Sequence, residues 1–223
     1  MSIHLSPRLL AVARLVPQGA RVIDVGTDHA MIPVWLAQNQ IAGSIWASDI
    51  REGPLESAAA LIRKTGTGDR IRTRLTDGLS GFGPEDGNTV ILAGMGGETM
   101  VSILAEAPWT RRDTLLILEP QSKQDVLRRF LWGNGYRIRS ESLVRDAGRI
   151  YPILTAAGGE AQAFSEAEAH TGLASLIEND PLYGEYLDGW IQRTRTAAPY
   201  DPKARDLLRQ LEERKETLRH DDG

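Results

Sequence analysis

Three aspartates lie at the ends of three predicted strands, where their side chains could bind a small polar ligand. Asp24 ends the first strand together with Gly26, Asp49 ends the second, and Asp77 follows the third. Ligands of an open α/β sheet bind at the carboxyl ends of its strands, so these acids are predicted to meet at one edge. A carboxylate at the position of Asp49 accepts hydrogen bonds from a ribose diol. The pattern therefore favours a nucleoside ligand.

The same edge lacks the glycines that a dinucleotide site needs. A Gly-x-Gly-x-x-Gly fingerprint cradles a pyrophosphate, and only Gly26 is present here. The negative charge of Asp28 at the start of a helix would repel phosphate. We therefore predict a nucleoside with a cationic or zwitterionic tail. S-adenosylmethionine fits, with its ribose at Asp49, its adenine N6 donor at Asp77 and its amino group at Asp24.

Each of these acids also has an ordinary structural explanation when it is considered alone. Asp24 would bind a loop amide or cap the helix near Met31, and Asp49 would cap the helix from Glu52. Acids at three successive strand ends are far more specific than one acid. The combination favours the functional interpretation.

Strands and helices alternate in the part of the chain that positions these residues. Strands are predicted over 21–26, 44–49, 70–76, 89–93 and 114–118, and helices over 31–39, 52–65 and 122–132, with another ending near 105. Two more strands, 136–144 and 149–155, are joined by only four residues, which predicts an antiparallel hairpin. Because Pro152 has no amide hydrogen, we expect a bulge there or a position that needs no donor.

The character of the chain changes after the hairpin. No strand is predicted beyond residue 157, and three helices are expected over 163–179, 181–197 and 202–219. Asp180-Pro181 and Asp201-Pro202 resemble helix starts, with aspartate as the cap and proline in the first turn. Leucines at 207, 208, 211 and 218 predict a helical hairpin or short antiparallel coiled coil. We therefore divide the chain into residues 1–157, the α/β domain with the predicted ligand site, and 158–223, a helical appendage.

Composition excludes several classes of site. The 223 residues contain no cysteine and four histidines, which excludes disulfides and thiolate chemistry and predicts no metal centre. No apolar window of about 18 residues predicts a membrane span, so we expect a cytoplasmic protein without a membrane partner. The formal net charge is −4. Segments 51–75 and 108–159 are nevertheless basic, which leaves room for a local nucleic-acid surface.

Five short stretches together resemble the bacterial tRNA (adenine-22-N1)-methyltransferase family, the TrmK type of class I methyltransferases. They are residues 5–9 (LSPRL), 24–30 (DVGTDHA), 76–79 (TDGL), 93–97 (AGMGG) and 134–136 (NGY). The resemblance spans about residues 5–157, and the helical tail also suits the family. Two features depart from the family pattern: Glu119-Pro120-Gln121 stands where a Gln-Pro-Asn-like sequence is expected, and Pro152 lies in the last strand.

The resemblance implies an α/β, Rossmann-like sheet of seven strands in the order 3-2-1-4-5-7-6, with the last-entered strand antiparallel. It implies methyl transfer from S-adenosyl-L-methionine to N1 of an adenine in tRNA, at position 22, giving 1-methyladenosine. The cofactor-binding residues that it implies are Arg8, Asp24, Gly26, Thr27, His29, Asp49, Ile50, Asp77, Gly78, Leu79, Gly94 and Met95.

Methylation of N1 gives the adenine a positive charge and makes its N6 proton easier to lose. Asp28 is the candidate carboxylate that stabilises this charge or accepts the proton. His29 is the second candidate, as a base or an orienting group, although packing at the start of a helix explains it equally well. Predicted tRNA contacts are Arg63, Lys64, Arg112, Arg128 and Arg129, unless these side chains are simply solvated.

Two other functions remain open at this point. The first is a methyltransferase that uses the same cofactor on a protein or a small molecule, which the acidic composition favours slightly. The second is an inactive S-adenosylmethionine-binding module whose helical hairpin binds a protein, although the intact acids at three strand ends speak against it. Nothing in the sequence demands more than a monomer.

Overall fold

The computed structural model describes residues 2–160 and 162–221. Its seven strands are β1 (Arg21–Val25), β2 (Ser44–Asp49), β3 (Ile71–Leu75), β4 (Thr89–Met95), β5 (Leu115–Pro120), β6 (Tyr136–Asp146) and β7 (Arg149–Gly158). They form one sheet in the order β3-β2-β1-β4-β5-β7-β6. Strands β1 to β5 are parallel, and β7 is antiparallel to both β5 and β6. The predicted fold class and strand order are confirmed.

Helices cover both faces of this sheet. The five in the first part are α1 (Pro7–Ala13), α2 (Met31–Gln38), α3 (Glu52–Thr65), α4 (Gly97–Ala105) and α5 (Gln124–Gly133). The Ser6 side chain caps α1 by accepting a hydrogen bond from the Leu9 amide. Successive residues of a strand point to opposite faces, so Val22 packs with α1, α2 and α3, whereas Ile23 packs with α4 and α5. The sheet is therefore held between two apolar layers.

The β6–β7 hairpin turns at Ala147 and Gly148, as the short connection predicted. Of the two arrangements expected at Pro152, the structure shows the position that needs no donor and not the bulge. Pro152 pairs in register with Leu143, and the register shift lies between Ile138 and Ser140. Pairing of β7 with β5 stops at Leu154, so Pro152 lies beyond the stretch that needs a donor toward β5.

Within residues 162–221, the C-terminal segment contains four helices: α6 (Glu166–Thr171), α7 (Ala174–Ile177), α8 (Tyr183–Ala197) and α9 (Pro202–Asp221). The single helix expected over 163–179 is wrong, because the chain breaks at Gly172 with φ of +97°. A side chain there would place its Cβ 2.6 Å from Glu141 Oε2. Only glycine satisfies both constraints.

The two long helices differ in how well their starts were predicted. Helix α9 begins at Pro202, and Asp201 accepts a hydrogen bond from the Lys203 amide, as expected. The start expected at Pro181 is wrong: α8 begins at Tyr183, and the Asp180 carboxylate accepts hydrogen bonds from the amides of Leu182 and Leu143. The predicted helical hairpin forms nonetheless. Its apolar contacts come from residues that include Tyr186, Leu187, Ile191, Leu207 and Leu211.

A buried ion pair joins the helical segment to the sheet. Arg128 on α5 and Glu141 on β6 are both fully buried, with Nη2 and Oε2 2.7 Å apart. Arg128 Nη1 also donates to the carbonyls of Ala169 and His170, and Glu141 Oε1 accepts from the Leu173 amide. These bonds satisfy both buried charges and fix α6 against α5.

Among the described residues, no helix is both long enough and apolar enough to cross a membrane.

Candidate active site

A cleft opens at the carboxyl ends of β1 and β4, the two neighbours at which the strand order of the sheet reverses. This is the usual ligand position in an open α/β sheet. Helix α1 and the start of α2 form its other walls. Its lining residues are Arg8, Leu9, Asp24, Gly26, Thr27, Asp28, His29, Met31, Ile32, Ala93, Gly94 and Gln121. The structure therefore brings six of the twelve predicted cofactor residues together in this cleft. The other six do not line it: Asp49, Ile50, Asp77, Gly78, Leu79 and Met95.

Asp24 is a buried acid in the wall of this cleft. Burial raises its pKa to about 7, the hydrogen bond from Thr27 opposes that rise, and the neighbouring carboxylate of Asp49 adds to it. Thr27 Oγ1 donates to Asp24 Oδ2 over 2.6 Å. A buried carboxylate with a raised pKa gains most from a cationic partner. Asp24 is accordingly suited to an ammonium group.

The loop after β1 is hydrogen-bonded to the end of β2. Gly26 has φ of +71°, and a Cβ on it would lie 3.0 Å from Met95 Cε. The amides of Gly26 and Thr27 both donate to the Ser48 carbonyl over 2.9 Å. Glycine at this position keeps the turn tight and leaves the backbone open to a ligand.

Asp28 and His29 project from this loop toward solvent at the mouth of the cleft. Their side chains are 64% and 61% exposed, and His29 Nε2 lies 3.6 Å from Asp28 Oδ2. Asp28 adopts a left-handed backbone with φ of +50°. Both predicted catalytic residues are therefore free to contact a large substrate.

The predicted ribose and adenine residues lie at the ends of β2 and β3. Asp49 is buried, and its Oδ1 accepts a hydrogen bond from the Arg51 amide over 3.0 Å. Ile50 beside it is 60% exposed, which is unusual for a large apolar side chain. Asp77 is exposed, whereas Leu79 packs into the apolar core. Leu79 thus has a structural role of its own in this fold.

A second buried carboxylate lies beneath the β4 side of the cleft. Glu119 Oε2 accepts hydrogen bonds from Arg8 Nη1 over 2.6 Å and from the Gly94 amide over 2.7 Å. Burial raises the pKa of Glu119, and the positive charge of Arg8 opposes that rise. The Arg8 guanidinium also lies 5.4 Å from the centre of the Tyr151 ring. These contacts hold α1 against the cleft.

The five predicted tRNA-binding residues have different environments. Arg63 and Lys64 are exposed in the last turn of α3, and Arg112 is exposed before β5. Arg129 is half-buried and forms an ion pair with Glu166. The prediction for Arg128 is wrong, because its side chain is fully buried in the ion pair described above and has no surface to offer.

Comparison with known proteins gives the family. A family model described as a methyltransferase domain matches residues 5–154. The tRNA (adenine(22)-N(1))-methyltransferase of Bacillus subtilis (strain 168) is 32% identical over 166 residues, which are 72% of this chain and 68% of that protein. The chain belongs to the tRNA (adenine(22)-N(1))-methyltransferase family.

Solved structures agree with this family. The crystal structure of the B. subtilis m1A22 tRNA methyltransferase TrmK matches with a TM-score of 0.82 and 27% identity, covering 98% of this chain and 99% of that chain. A Streptococcus pneumoniae protein crystallised with S-adenosyl-L-methionine matches with a TM-score of 0.86 and 30% identity, covering 94% and 99%. The likeness thus includes the C-terminal helices.

Within this family site, sequence reasoning gave no role to the residues that end β5. Glu119 and Gln121 appeared only as departures from the family pattern, although Arg8 was expected in the site. The structure places Glu119 under the cleft and Gln121 in its wall. The available signal was position: a polar sequence directly after a buried strand, at the same edge as Asp24 and Asp49.

Proposed function

We propose that this chain transfers a methyl group from S-adenosyl-L-methionine to N1 of adenine 22 in tRNA. The observation that carries the proposal is a pair of buried acids on adjacent strands: Asp24 lines the cleft, and Asp49 ends the neighbouring strand. The chain also belongs to the tRNA (adenine(22)-N(1))-methyltransferase family. The tRNA substrate of the B. subtilis relative favours this reaction over methylation of a protein or small molecule. It also favours an enzyme over an inactive binding module.

The residues of the cleft and of the neighbouring strand ends suit the cofactor. Bound S-adenosyl-L-methionine supplies a methyl group on a positively charged sulfur. Asp49 would accept hydrogen bonds from the ribose hydroxyls, and the exposed Ile50 would cover one side of the nucleoside. Asp77 would accept the N6 hydrogen of the adenine, with the backbone of Gly78 beside it. Asp24 would pair with the ammonium group, which relieves the cost of burying its charge.

The remaining cofactor residues would surround the methionine portion. Gly26 allows close approach of the backbone, and Thr27 orients the Asp24 carboxylate. Gly94 and Met95, which lie at the end of β4, would form the floor. His29 and Arg8 are the last two of these residues. The ion pair with Glu119 holds Arg8 in place.

The exposed pair at the mouth would serve the acceptor base. As N1 gains the methyl group, the ring becomes cationic and N6 becomes more acidic. Asp28 would stabilise that charge and accept an N6 proton, and His29 would orient Asp28 or carry the proton onward. N1 is occupied in a paired base, so the target adenine must be unpaired or flipped out to reach the cleft.

Contacts to the tRNA body would come from basic residues on the surface of the first part of the chain. Arg63, Lys64 and Arg112 would bind phosphates, and Arg129 would do so by exchanging Glu166 for a phosphate. In this proposal, residues 1–157 carry out the chemistry, and residues 158–223 enlarge the surface that contacts the tRNA. Steep salt dependence of tRNA binding is the expected consequence.

We further propose that the protein acts as a monomer in the cytoplasm, where tRNA is modified. One chain supplies every side chain that the cleft needs in this account. Light scattering of the purified protein, alone and with tRNA, tests the first point. A stable dimer in both conditions would contradict it.

A methyl-transfer assay tests the proposed reaction. The enzyme is incubated with unmodified tRNA transcripts and S-adenosyl-L-methionine that carries an isotopically labelled methyl group, and the digested nucleosides are analysed by mass. Labelled 1-methyladenosine is expected. Label in another nucleoside, or none although the cofactor binds, would contradict the proposal.

A further inference from the structure

We propose that Gln121 recognises the target adenine by binding its N6 and N7 atoms, which leaves N1 free to react. This inference rests on the proposed function and names the side chain that reads the acceptor base.

Gln121 follows β5 and lines the same cleft as Asp24 and Gly26. Its backbone is fixed, because its amide donates to the Met95 carbonyl over 3.0 Å. Its side chain is exposed and makes no hydrogen bond to any described residue. A rigid backbone with a free carboxamide facing a cleft is an arrangement that favours ligand recognition.

The other polar groups on this side of the cleft are engaged or, like the unpartnered Glu119 Oε1, buried. Arg8 is held by Glu119, and Glu119 Oε2 is shared between Arg8 and the Gly94 amide. Glu119 is fully buried, so a substrate does not reach it while Arg8 stays in place. On the β4–β5 side, Gln121 is therefore the free polar side chain among the described residues that line the cleft.

Gly94 leaves a gap beside Gln121 that a flat base fits. A Cβ on Gly94 would lie 3.8 Å from Arg8 Nη1 and 3.9 Å from Gln121 Nε2, with nothing closer. A side chain at this position would therefore make ordinary van der Waals contact with both the guanidinium and the carboxamide, and glycine leaves that place vacant. An adenine ring over Gly94 would bring its edge within reach of Gln121.

The chemistry of the reaction decides which edge that is. N1 must face the methyl group, so an enzyme that grips N1 would block its own reaction. The N6 and N7 edge is free, and a glutamine carboxamide binds it with two hydrogen bonds: its oxygen accepts from N6 and its nitrogen donates to N7. N6 carries two hydrogens, so Asp28 is able to accept the second one.

The same contact discriminates against guanine. Guanine presents two acceptors, O6 and N7, on this edge. The carboxamide has one donor side and one acceptor side, so one of its contacts becomes a repulsion between two acceptors. Gln121 would therefore contribute to base selection as well as to orientation.

The proposal is tested by removing the Gln121 side chain and the N7 atom of the base, separately and together. Wild type and Gln121→Ala are compared on two tRNAs, one with adenosine and one with 7-deazaadenosine at position 22, which lacks the N7 acceptor. The Gln121→Ala substitution should lower kcat/KM on adenosine by about 5- to 140-fold, the range for a two-bond base contact. Loss of N7 should cost wild type about 2- to 12-fold and Gln121→Ala nothing further.

The matched control is Gln124→Ala. Gln124 lies three residues further on and donates to the Pro120 carbonyl, outside the cleft lining. This variant should respond to 7-deazaadenosine as wild type does. The affinity of Gln121→Ala for S-adenosyl-L-methionine, measured by calorimetry, should equal that of wild type.

Two results would overturn the inference. One is that the loss of N7 lowers kcat/KM by the same factor in wild type and in Gln121→Ala. The other is that the loss of N7 leaves the kcat/KM of wild type unchanged. If wild type methylates the adenosine tRNA in either case, the proposed function stands and only the role of Gln121 falls. If wild type makes no 1-methyladenosine, the proposed function fails and this inference with it.

Discussion

Replacing Asp24 with asparagine is expected to stabilise the ligand-free protein and to weaken cofactor binding. The carboxylate is buried, and its pKa rises from an ordinary 3.8 to about 7, mainly because burial penalises the charge. A difference of about three pKa units at 1.36 kcal/mol each amounts to about 4 kcal/mol above pH 7. The asparagine keeps the Thr27 hydrogen bond but carries no charge, so it avoids this cost.

The sign of the pH dependence follows from proton binding. Between about pH 4 and pH 7 the unfolded chain has lost the Asp24 proton that the folded chain retains. The free energy of unfolding therefore falls as the pH rises through this range, and is constant on either side of it as far as Asp24 is concerned. Between pH 5 and pH 8 this contribution amounts to about 3 kcal/mol.

Urea unfolding at pH 5 and pH 8 measures the effect. The free energy of unfolding of Asp24→Asn should exceed that of wild type by an amount that grows by about 3 kcal/mol between the two pH values. Asp28→Asn is the control, because it removes an exposed carboxylate from the same loop. Parallel pH dependences of wild type and Asp24→Asn would refute the reasoning, as would a less stable variant at pH 8.

Three further outcomes are expected. Asp49→Ala should weaken S-adenosyl-L-methionine binding in calorimetry by roughly 1.5–3 kcal/mol for each charge-assisted bond lost, and unchanged affinity would remove Asp49 from the site. Asp28→Ala should reduce turnover more than cofactor affinity, and a variant with wild-type turnover would exclude Asp28 from the mechanism. Arg128→Met should lower the free energy of unfolding by about 3–5 kcal/mol, because it leaves Glu141 buried without a counter-charge. A loss below about 1 kcal/mol in urea unfolding would contradict that account.

The parts of the fold that local patterns control were predictable from the sequence. Strand and helix periodicity located all seven strands, and the short connection at 146–149 specified the antiparallel hairpin. The two central acids were identified for the same reason: the position of Asp24 and Asp49 at strand ends is a local property of the chain. The parallel sheet then brings those ends together.

The errors arose where distant parts of the chain meet. Arg128 was assigned to tRNA because it lies in the basic segment 108–159, but its partners Glu141 and the Ala169 carbonyl lie 13 and 41 residues away. Its neighbours on α5, Leu127 and Leu131, are buried and marked the inward face. That periodicity was the signal available.

The break at Gly172 has the same origin. A helix over 163–179 satisfied local propensity, and the chain instead turns sharply where Glu141 approaches from β6. Likewise, the role of Glu119 depends on Arg8, which is 111 residues away in sequence. Long-range ion pairs of this kind leave no periodic trace in the sequence.

The most direct test of the central claim is methylation of two tRNA transcripts that differ only in having adenine or guanine at position 22. Labelled methyl groups from S-adenosyl-L-methionine are counted on each, and the modified position is mapped by the block that an N1-methyl group imposes on reverse transcription. The account predicts label and a block at position 22 of the adenine transcript, and neither on its partner. Equal labelling of the two transcripts, or a block at another position, would contradict it.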